Sequence, residues 1–493
     1  MSPAASDARP VALSDHRQFV WALALVALLP RLFVALAWSR EPVWDGHYYH
    51  FGAERLAQGL GYSEDVWING RLSWKPWVHY PVGYSALLAT VYKVFGAELW
   101  VAPLLNVALG VAMALGCYEL ARRGLDESRA RLAGALCALH PGLIAQSALV
   151  MSELLSAFLL VVLGLIAVRV THERGARALG GFAAFGAVLG VTTLVRPASL
   201  LLFPLAFVAR RFAPRALVAG GALAVLAAAL VIAPWTLRNC ARLDGCALVS
   251  TNGGWNLAIG AISRTGRFTG LRASDGCPVV TGQVQQDRCW ASVGIQRIVA
   301  APERWLALAP RKLAETFNHE SFAIEYLHEA DPRSWPEARR VAGRELMTLA
   351  HRLLLLLAAL SVIALPWRRT GDPRSQQPGG IWQRAEMHWL QALLGTAVLA
   401  FGVYAFASDE HPFFWLSLTI PLLALLPLPG RPELGPSVRY AVGALLLTAI
   451  THVIFFGEDR YHLALSPLLC LLAAAALRPA HRGLRRAANG NPS

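Results

Sequence analysis

Residues 152–170 read SELLSAFLLVVLGLIAVRV, an apolar stretch whose only charged residues, Glu153 and Arg169, lie near its two ends. A helix needs about 20 predominantly apolar residues to cross the roughly 30 Å hydrocarbon core of a bilayer. This stretch therefore predicts a membrane-spanning helix. The composition agrees, because 55% of the 493 residues are hydrophobic and 15% are charged, against about 25% charged in soluble domains. A cytosolic globular enzyme is excluded.

Similar stretches occur on both sides of this one, and together they give twelve candidate spans. The spans centre on 18–38, 98–119, 129–148, 152–170, 179–195, 197–209, 216–236, 346–366, 387–407, 412–428, 437–456 and 461–478. The weakest is 197–209, which is short and contains Pro204. The pattern predicts an all-α polytopic membrane protein with about 12 transmembrane helices.

Arginines between the apolar stretches predict the orientation of the chain. The sequence carries 45 basic and 31 acidic residues, and basic residues accumulate in cytoplasmic loops. With a cytoplasmic N-terminus, the inward segments hold Arg122, Arg123, Arg129, Arg131, Arg169, Arg174, Arg177, Arg210, Arg211, Arg215, Arg368, Arg369, Arg374, Arg384, Arg431, Arg439, Arg478, Arg482, Arg485 and Arg486. Without the sixth span, every later arginine cluster would lie outside, so this span is expected to cross the membrane. With twelve spans, both termini are expected in the cytoplasm. Basic residues in this pattern orient helices, and no nucleic-acid partner is expected.

Two segments on the outer side are too long to be simple turns, 39–97 and 237–345. Long loops often carry function. We therefore divide the chain into an N-terminal transmembrane catalytic module, 1–236, that includes the loop 39–97; an extracytoplasmic region, 237–345; and C-terminal helices, 346–493. An apolar stretch from Val82 to Phe95 is expected at the membrane interface, because a further span would reverse the charge pattern. The first apolar run has no cleavage site after it and is expected to stay as a helix.

Four of the seven cysteines lie in the second long loop. They are Cys240, Cys246, Cys277 and Cys289. An oxidising compartment would let them pair, either as two local bridges or in crossed fashion, and the spacing does not decide between these. Cys117, Cys137 and Cys470 fall in or beside apolar helices and are expected to be small core residues.

Asp45 lies in the segment Trp44–His50, directly after the first apolar stretch. One interpretation is a helix cap beside aromatic residues of the membrane interface. The other is a general base at the outer mouth of the bundle, with Tyr49 and His50 orienting a polar substrate.

Three further charged positions fall on the same predicted outer side. Glu153 suits a helix N-terminus, yet an ionisable residue at the edge of the hydrocarbon is often functional. Arg196 and Arg460 lie where the charge pattern disfavours basic residues. Arg196 is expected either to reach lipid headgroups or to bind a phosphate, and Arg460, beside Tyr461, either to pair with Glu458 or Asp459 or to bind a phosphate.

Histidines give only a weak metal signal. His47 and His50 are three residues apart, and a second group comprises His319, Glu320, Glu325, His328, Glu329 and Asp331. Neither group has a recognised ligand spacing. The sequence predicts no required cofactor and leaves a divalent metal open.

Several short motifs, taken in order, resemble the polyprenyl-phosphate-sugar-dependent glycosyltransferases of the C-type membrane fold, such as protein mannosyltransferases and aminoarabinose transferases. They are Asp45, Tyr49, Leu56-Ala57-Gln58-Gly59, Tyr80-Pro81-Val82-Gly83-Tyr84-Ser85-Ala86-Leu87-Leu88-Ala89, Ser152-Glu153, Arg196-Pro197, Pro234-Trp235-Thr236-Leu237-Arg238-Asn239, Thr251-Asn252-Gly253-Gly254-Trp255-Asn256-Leu257 and Arg460-Tyr461. The set extends over nearly the whole chain. Two departures concern the sugar and the acceptor: Asp45-Gly46 replaces Asp-Glu, and Trp74-Lys75-Pro76-Trp77 matches Lys-Pro-Pro only in part.

The resemblance implies the C-type glycosyltransferase fold, with Asp45 as catalytic base and with Glu153 and Arg196 lining the cavity. It implies an inverting transferase that moves a sugar from a polyprenyl-phosphate carrier to an envelope acceptor, a lipid, glycan or protein. The expected location is a cell membrane, the bacterial inner membrane, with the active site facing outward. The expected partners are the lipid-linked donor, the acceptor and membrane lipids.

Two other functions are compatible with a many-helix membrane protein. A lipid or glycan transporter or flippase would show paired repeats and broken midplane helices with buried charges, which the sequence does not display clearly. An oligosaccharide ligase would use a large outer loop in the position of 237–345, but it would leave the acidic site after the first helix unexplained.

Overall fold

The computed structural model describes residues 13–208, 213–278, 282–364, 367–368, 381–425, 431–432 and 434–477. The first half of the chain contains α1 (Leu13–Trp38), α2 (Asp45–Ala57), β1 (Ser63–Ile68), β2 (Arg71–Pro76), α3 (Gly83–Phe95), α4 (Val101–Arg122), α5 (Glu127–Leu139), α6 (Pro141–Ala145), α7 (Glu153–Val170), α8 (Ala176–Val195), α9 (Leu205–Val208) and α10 (Pro214–Arg242). The first long loop, 39–97, thus contains α2, the hairpin of β1 and β2, and α3.

The second half begins with short helices and returns to long ones. It contains α11 (Gly253–Ile262), α12 (Gln283–Ala300), α13 (Pro302–Ala307), α14 (Ala309–Phe317), α15 (Phe322–Ala330), α16 (Glu337–Ala364), β3 (Trp367–Arg368), α17 (Ile381–Ala407), α18 (Phe414–Leu425), β4 (Arg431–Pro432), α19 (Pro436–Ile454) and α20 (Ser466–Ala476). Short 3₁₀ segments cover Gln146–Ala148, Pro197–Leu202, Ala273–Asp275 and Asp459–Leu465.

Within the described residues, 8 helices are long and apolar enough to cross a membrane. They are α1, α4, α7, α8, α10, α16, α17 and α19. Each coincides with a span predicted from hydropathy. An apolar stretch forms a helix in hydrocarbon because a helix satisfies all its backbone hydrogen bonds internally. The chain is therefore a multi-pass helical membrane protein.

The other four predicted spans are not single long α-helices where the structure describes them. Residues 129–148 divide before Pro141, the first residue of α6, and residues 197–209 begin as a 3₁₀ segment. The span 412–428 contains only α18, of 12 residues, and 461–478 combines a 3₁₀ segment with α20. Proline removes a backbone donor and interrupts an α-helix, which explains the break at Pro141. The total of twelve crossings stays a prediction.

Several residues used for orientation lie outside the described residues. They are the N-terminal 1–12, Arg210, Arg211, Arg369, Arg374 and the tail from 478 onward. The predicted cytoplasmic location of both termini and the division into three regions therefore remain expectations.

The first long loop folds against the ends of the long helices. Its hairpin pairs β1 with β2, from Ser63 opposite Pro76 to Ile68 opposite Arg71. The hairpin turns at Asn69 and Gly70, both with positive φ, as a two-residue turn of this kind requires. Helix α3 has 13 residues, a length of about 20 Å at 1.5 Å per residue. It is too short to span, which agrees with its predicted interfacial position.

The main core is formed by α4, α5, α7, α16, α19 and α20. Every residue of α20 from Ser466 to Ala475 is buried, so this helix lies at the centre of the bundle. Small residues allow close approach elsewhere, as between α8 and α10, where a side chain at Gly186 would collide with the backbone of Ala224. Close helix packing through small residues replaces the hydrophobic driving force that is weak inside a membrane.

Two local disulfides form in the second long loop. Cys240 pairs with Cys246 across the end of α10, and Cys277 pairs with Cys289 in α12. The alternative of crossed pairing is therefore wrong. The remaining cysteines, Cys117, Cys137 and Cys470, are buried and unbridged, as expected of core residues.

Candidate functional site

Asp45 is the first residue of α2 rather than its cap, because Trp44 occupies the cap position with a positive φ of 50°. A negative charge in the first turn is favourable beside the unpaired N–H groups of a helix start. One carboxylate oxygen accepts a hydrogen bond from the Tyr80 hydroxyl at 2.7 Å. The other accepts from Arg460 Nη1 at 2.6 Å. Three segments far apart in the chain thus meet at this carboxylate.

Arg460 joins two carboxylates. Its Nη1 contacts Asp45, and its Nε donates to Glu458 Oε2 at 2.7 Å. The guanidinium carbon also lies 5.0 Å from the centre of the Phe322 ring and 5.3 Å from that of Tyr461. The predicted local pair with Glu458 is present, but it coexists with the long-range pair to Asp45, so the simple intraloop interpretation is incomplete.

The two carboxyls titrate in opposite directions. Burial acts to raise the pKa of Asp45, but the nearby Arg460 and the hydrogen bond from Tyr80 outweigh it and lower that pKa below its usual value. Burial raises the pKa of Glu458, and Arg460 opposes this only in part. Asp45 is therefore ionised at neutral pH and could accept a proton once Arg460 is drawn away.

A second ion pair lies beside the first. Glu153, the first residue of α7, accepts a hydrogen bond from Arg196 Nη2 at 2.6 Å. Glu153 is 2% exposed, and its second oxygen is buried without a hydrogen-bond partner among the described residues. Arg196 follows α8 directly and lies 5.6 Å from the centre of the Tyr461 ring. Tyr461 is thus shared by Arg196 and Arg460.

Tyr49 belongs to the same cluster. Burial and the charge of Asp45 raise its pKa, and its side chain hydrogen-bonds with Ser152. Its ring packs against Tyr80 and Tyr84 at 5.7 and 5.6 Å between centres. A tyrosine that stays protonated in this position supplies a hydrogen-bond donor to the space between the two ion pairs.

His50 has a different partner from the one expected. Its Nδ1 lies 2.6 Å from the Tyr92 hydroxyl on α3, and its contacts do not join it to the two ion pairs. The reason is helical geometry, because five residues after Asp45 a side chain projects from another face of α2. A direct role for His50 on a substrate remains a prediction with little geometric support.

Several neighbours of Asp45 were not among the predicted site residues. Tyr80 and His79 precede α3, and burial lowers the pKa of His79. Asp459 accepts hydrogen bonds from the backbone N–H of Ser321 at 2.5 Å and of Phe322 at 2.8 Å, which fixes the segment that carries Arg460. The only sequence signal for Tyr80 was its place in the motif Tyr80–Ala89.

A cavity of about 270 Å³ opens elsewhere in the bundle. Apolar side chains of α5, α16 and α20 line most of it, together with His140. Asp45, Glu153, Arg196 and Arg460 are not among its lining residues. We call these four residues the ionic cluster. The cavity is separate from it.

The predicted histidine groups separate in the structure. His47 stacks on Phe51, and His50 contacts Tyr92, so these two do not converge on a metal. Of the second group, only Glu320 joins a set of residues that could hold a metal ion, together with His351 and His462. The last two were not predicted, because they lie in separate helical segments.

Solved structures with some likeness are all remote. The Archaeoglobus fulgidus oligosaccharyltransferase tethered to an acceptor peptide with the NVT sequon is 13% identical, with a TM-score of 0.45, over 94% of this chain and 49% of the other. ArnT from Cupriavidus metallidurans bound to undecaprenyl phosphate is 15% identical, with a TM-score of 0.35, over 94% and 78%. This chain thus spans about half the length of the archaeal enzyme.

Sequence comparison gives a more specific result. No curated protein matches the chain. Residues 79–237 match the family described as dolichyl-phosphate-mannose-protein mannosyltransferase. This range includes the ion pair of Glu153 and Arg196, and Tyr80, which donates a hydrogen bond to Asp45. The predicted resemblance is confirmed: over residues 79–237 the chain matches the protein-mannosyltransferase family of membrane glycosyltransferases.

Proposed function

We propose that this protein is an inverting glycosyltransferase that moves a sugar from a polyprenyl-phosphate carrier to an envelope acceptor at the outer face of the membrane. The single observation that carries the proposal is the hydrogen bond between Asp45 and Arg460, at 2.6 Å, beside the pair of Glu153 and Arg196. A candidate base and two phosphate-binding groups thereby occupy one site. The match of residues 79–237 to a mannosyltransferase family supports the reaction class.

The leaving group explains why two arginines are needed. A polyprenyl phosphate departs with additional negative charge, and a guanidinium binds phosphate oxygens through two parallel hydrogen bonds. Arg196 and Arg460 both lie against Tyr461, so one phosphate between them would meet two cations. Stabilising the charge that develops on the leaving group is among the largest contributions a site can make to the rate.

Asp45 would act as the base only after the donor has bound. In the free protein Arg460 holds the carboxylate and lowers its pKa, so its affinity for a proton is low. When a donor phosphate attracts Arg460, the carboxylate loses its cation and becomes more basic. Binding of the correct donor thus activates the base, which restricts proton abstraction to the loaded enzyme.

The transfer itself is a single displacement. The acceptor hydroxyl gives its proton to Asp45 while its oxygen bonds to the anomeric carbon, and the bond from that carbon to the phosphate oxygen breaks. The configuration inverts, and polyprenyl phosphate leaves on Arg196 and Arg460. If the acceptor is itself a phosphate, no proton moves and Asp45 orients the substrate.

A lipid-linked donor follows from the position of the site. A nucleotide sugar carries charges that cross hydrocarbon at high cost, so an outward site must use a sugar already moved across the membrane. The two disulfides in the loop between α10 and α16 support this orientation, because such bridges persist in oxidising compartments outside the cytosol. The prenyl tail would lie among the helices, with the phosphate at the outer interface.

The test is a transfer assay with purified protein in lipid nanodiscs. Polyprenyl-phosphate sugars are offered one at a time with extracted envelope acceptors, and release of the carrier is followed. We expect Asp45→Asn to abolish turnover while donor binding and thermal stability remain. The matched control is Glu303→Gln, which removes an exposed carboxylate from α13 in the second long loop and should retain full turnover.

The outcomes separate the proposal from its alternatives. Full turnover by Asp45→Asn would remove the base from the mechanism. Transfer only from pyrophosphate-linked oligosaccharides would replace the proposal with an oligosaccharide ligase. Movement of lipid across a vesicle bilayer without release of the carrier would replace it with a transporter.

A further inference from the structure

A second cluster of polar side chains lies inside the helix bundle. Glu320, His351 and His462 are 2%, 0% and 0% exposed. One ligand atom from each lies within 4.8 Å of the others. Glu320 follows α14, His351 lies in the middle of α16, and His462 belongs to the 3₁₀ segment before α20. Residues this polar are rarely placed in such a setting without a partner.

The outer nitrogens of the two imidazoles are bound to backbone carbonyls. His462 Nδ1 lies 2.6 Å from the Thr316 oxygen, and His351 Nε2 lies 2.9 Å from the Phe317 oxygen. A carbonyl only accepts, so both of these nitrogens must carry the hydrogen. Both carbonyls belong to the last turn of α14, whose carbonyls have no partner within the helix.

The other nitrogen of each imidazole therefore carries a lone pair, and both lone pairs face a carboxylate. His462 Nε2 is 3.0 Å from Glu320 Oε2, and His351 Nδ1 is 3.9 Å from the same atom. Both His351 Nδ1 and Glu320 Oε1 are buried without a hydrogen-bond partner among the described residues. Three acceptors thus converge with no donor between them.

A nearby histidine supplies a donor but does not resolve the deficit. His140 Nδ1 accepts a hydrogen bond from the Leu143 N–H at 3.3 Å, so its Nε2 carries the hydrogen. That nitrogen lies 4.0 Å from Glu320 Oε2, beyond hydrogen-bonding distance. This nitrogen is itself buried without a hydrogen-bond partner among the described residues, so His140 gives no hydrogen bond to the three converging acceptors.

A cation would hold these acceptors together. A single proton between His462 and Glu320 would satisfy one pair and leave the lone pair of His351 buried and unpaired, which is unfavourable for a polar atom away from water. One divalent ion satisfies all three groups at once. Two histidines and one carboxylate are a common set for Zn²⁺, and also for other divalent transition metals.

We propose that Glu320, His351 and His462 bind a divalent transition-metal ion that has a structural role. Ligand atoms around a tetrahedral ion with bonds of roughly 2.1 Å lie about 3.4 Å apart, between the 3.0 and 3.9 Å found here. The carbonyls of Thr316 and Phe317 fix both imidazoles from behind, as outer partners of metal-binding histidines usually do. Complete burial denies a substrate access to the ion.

The site has a consequence for the ionic cluster. His462 is two residues from Arg460, and Glu320 precedes Ser321, whose N–H and hydroxyl donate to Asp459. A metal here would connect α14, α16 and the 3₁₀ segment that carries Arg460. It acts as a positioning element for that arginine and does not touch the reacting groups.

The test measures metal content directly. The full chain, purified without metal-affinity steps, is analysed by inductively coupled plasma mass spectrometry, before and after chelation and after addition of Zn²⁺. We expect about one equivalent of a divalent transition metal per chain in the wild type. Glu320→Gln and His351→Asn should each retain less than one tenth of it, and chelation should lower the melting temperature of the wild type only.

Two controls keep the result interpretable. Glu320→Gln replaces the carboxylate with an amide of equal shape that can donate to His462, so it should fold without metal. His172→Asn removes an exposed histidine at the far end of α7 and should keep the full equivalent. Retention of metal by Glu320→Gln, or failure of the chelated wild type to take up Zn²⁺, would overturn the proposal in favour of a shared proton. Neither outcome depends on glycosyl transfer.

Discussion

At the scale of single residues, Asp45 shows how a neighbour sets the chemistry of a carboxylate. Burial alone would favour its neutral form, but Arg460 and Tyr80 keep it ionised. The same arginine only partly offsets the effect of burial on Glu458, whose pKa is raised. The guanidinium thus keeps Asp45 ionised, as a base must be.

The pH dependence of transfer tests this selection. Because the pKa of Asp45 is lowered, the carboxylate remains ionised as pH falls through the usual aspartate range, and kcat/KM should decline only below that range. Tyr80→Phe removes a hydrogen bond to the charged form, so the pKa should rise and the acidic limb should move to higher pH. An unchanged acidic limb in Tyr80→Phe would show that another group controls it.

Arg196 has two effects that a pair of variants can separate. Arg196→Ala should weaken donor binding at least tenfold, about 1.4 kcal/mol, because a phosphate ligand is lost. It should also destabilise the protein, because Glu153 stays buried without its cation. Adding Glu153→Gln should restore thermal stability but not donor affinity. Binding is measured by titration with a fluorescent polyprenyl phosphate, and an unchanged dissociation constant would return Arg196 to a structural role.

At the scale of elements, short helices connect the long ones at the candidate site. Helix α14 is packed against α19 by Lys312, which is buried and donates to the Val453 carbonyl at 3.0 Å. The Lys312 Nζ atom also lies 5.1 Å from the centre of the Trp305 ring. Burial lowers the pKa of Lys312 from 10.5 to about 8, so this contact has a pH dependence of its own.

The sign of that dependence is fixed by linkage. Between pH 8 and 10.5 the unfolded chain binds a proton at Lys312 that the folded protein does not, so stability at this site increases as pH rises. Relative to Lys312→Met, the wild type should therefore gain melting temperature from pH 8 to pH 10. Thermal scans of both proteins in the same detergent measure the difference. A constant difference over this range would mean that Lys312 keeps its ordinary pKa.

At the scale of the whole molecule, the site exists only if its segments reach the same side of the membrane. Asp45 and Arg460 are 415 residues apart in sequence, and Glu153 and Arg196 are 43 apart. Glu153 begins α7 and Arg196 follows α8, while Asp45 and Arg460 lie a few residues beyond α1 and α19. The arginine pattern predicts that these helix ends face outward. The geometry and the charge pattern therefore agree on which helix ends are neighbours.

Cysteine labelling in intact cells tests the orientation. Glu303→Cys should react with a membrane-impermeant maleimide, because α13 belongs to the segment expected outside. His172→Cys should react only after the membrane is permeabilised, because it follows α7 on the side expected to face the cytoplasm. The native unbridged cysteines are buried and should give a low background. Reaction of both positions in intact cells would contradict the predicted topology.

The sequence by itself determined the helical membrane class, the positions of the long helices and the residues worth attention. It could do so because hydropathy and charge act locally: eight predicted spans are long apolar helices, and Asp45, Glu153, Arg196 and Arg460 were all singled out. It did not determine the breaks in the short spans or the partner of His50.

Only the tertiary structure decided which residues contact each other. It joined Asp45 to Arg460, chose the local disulfides over crossed ones, and brought His351 and His462 to Glu320. Such pairings depend on how helices pack through their small residues and on which faces turn inward. A residue's own neighbours in sequence carry no record of a contact made hundreds of positions away, so these pairings required the folded chain.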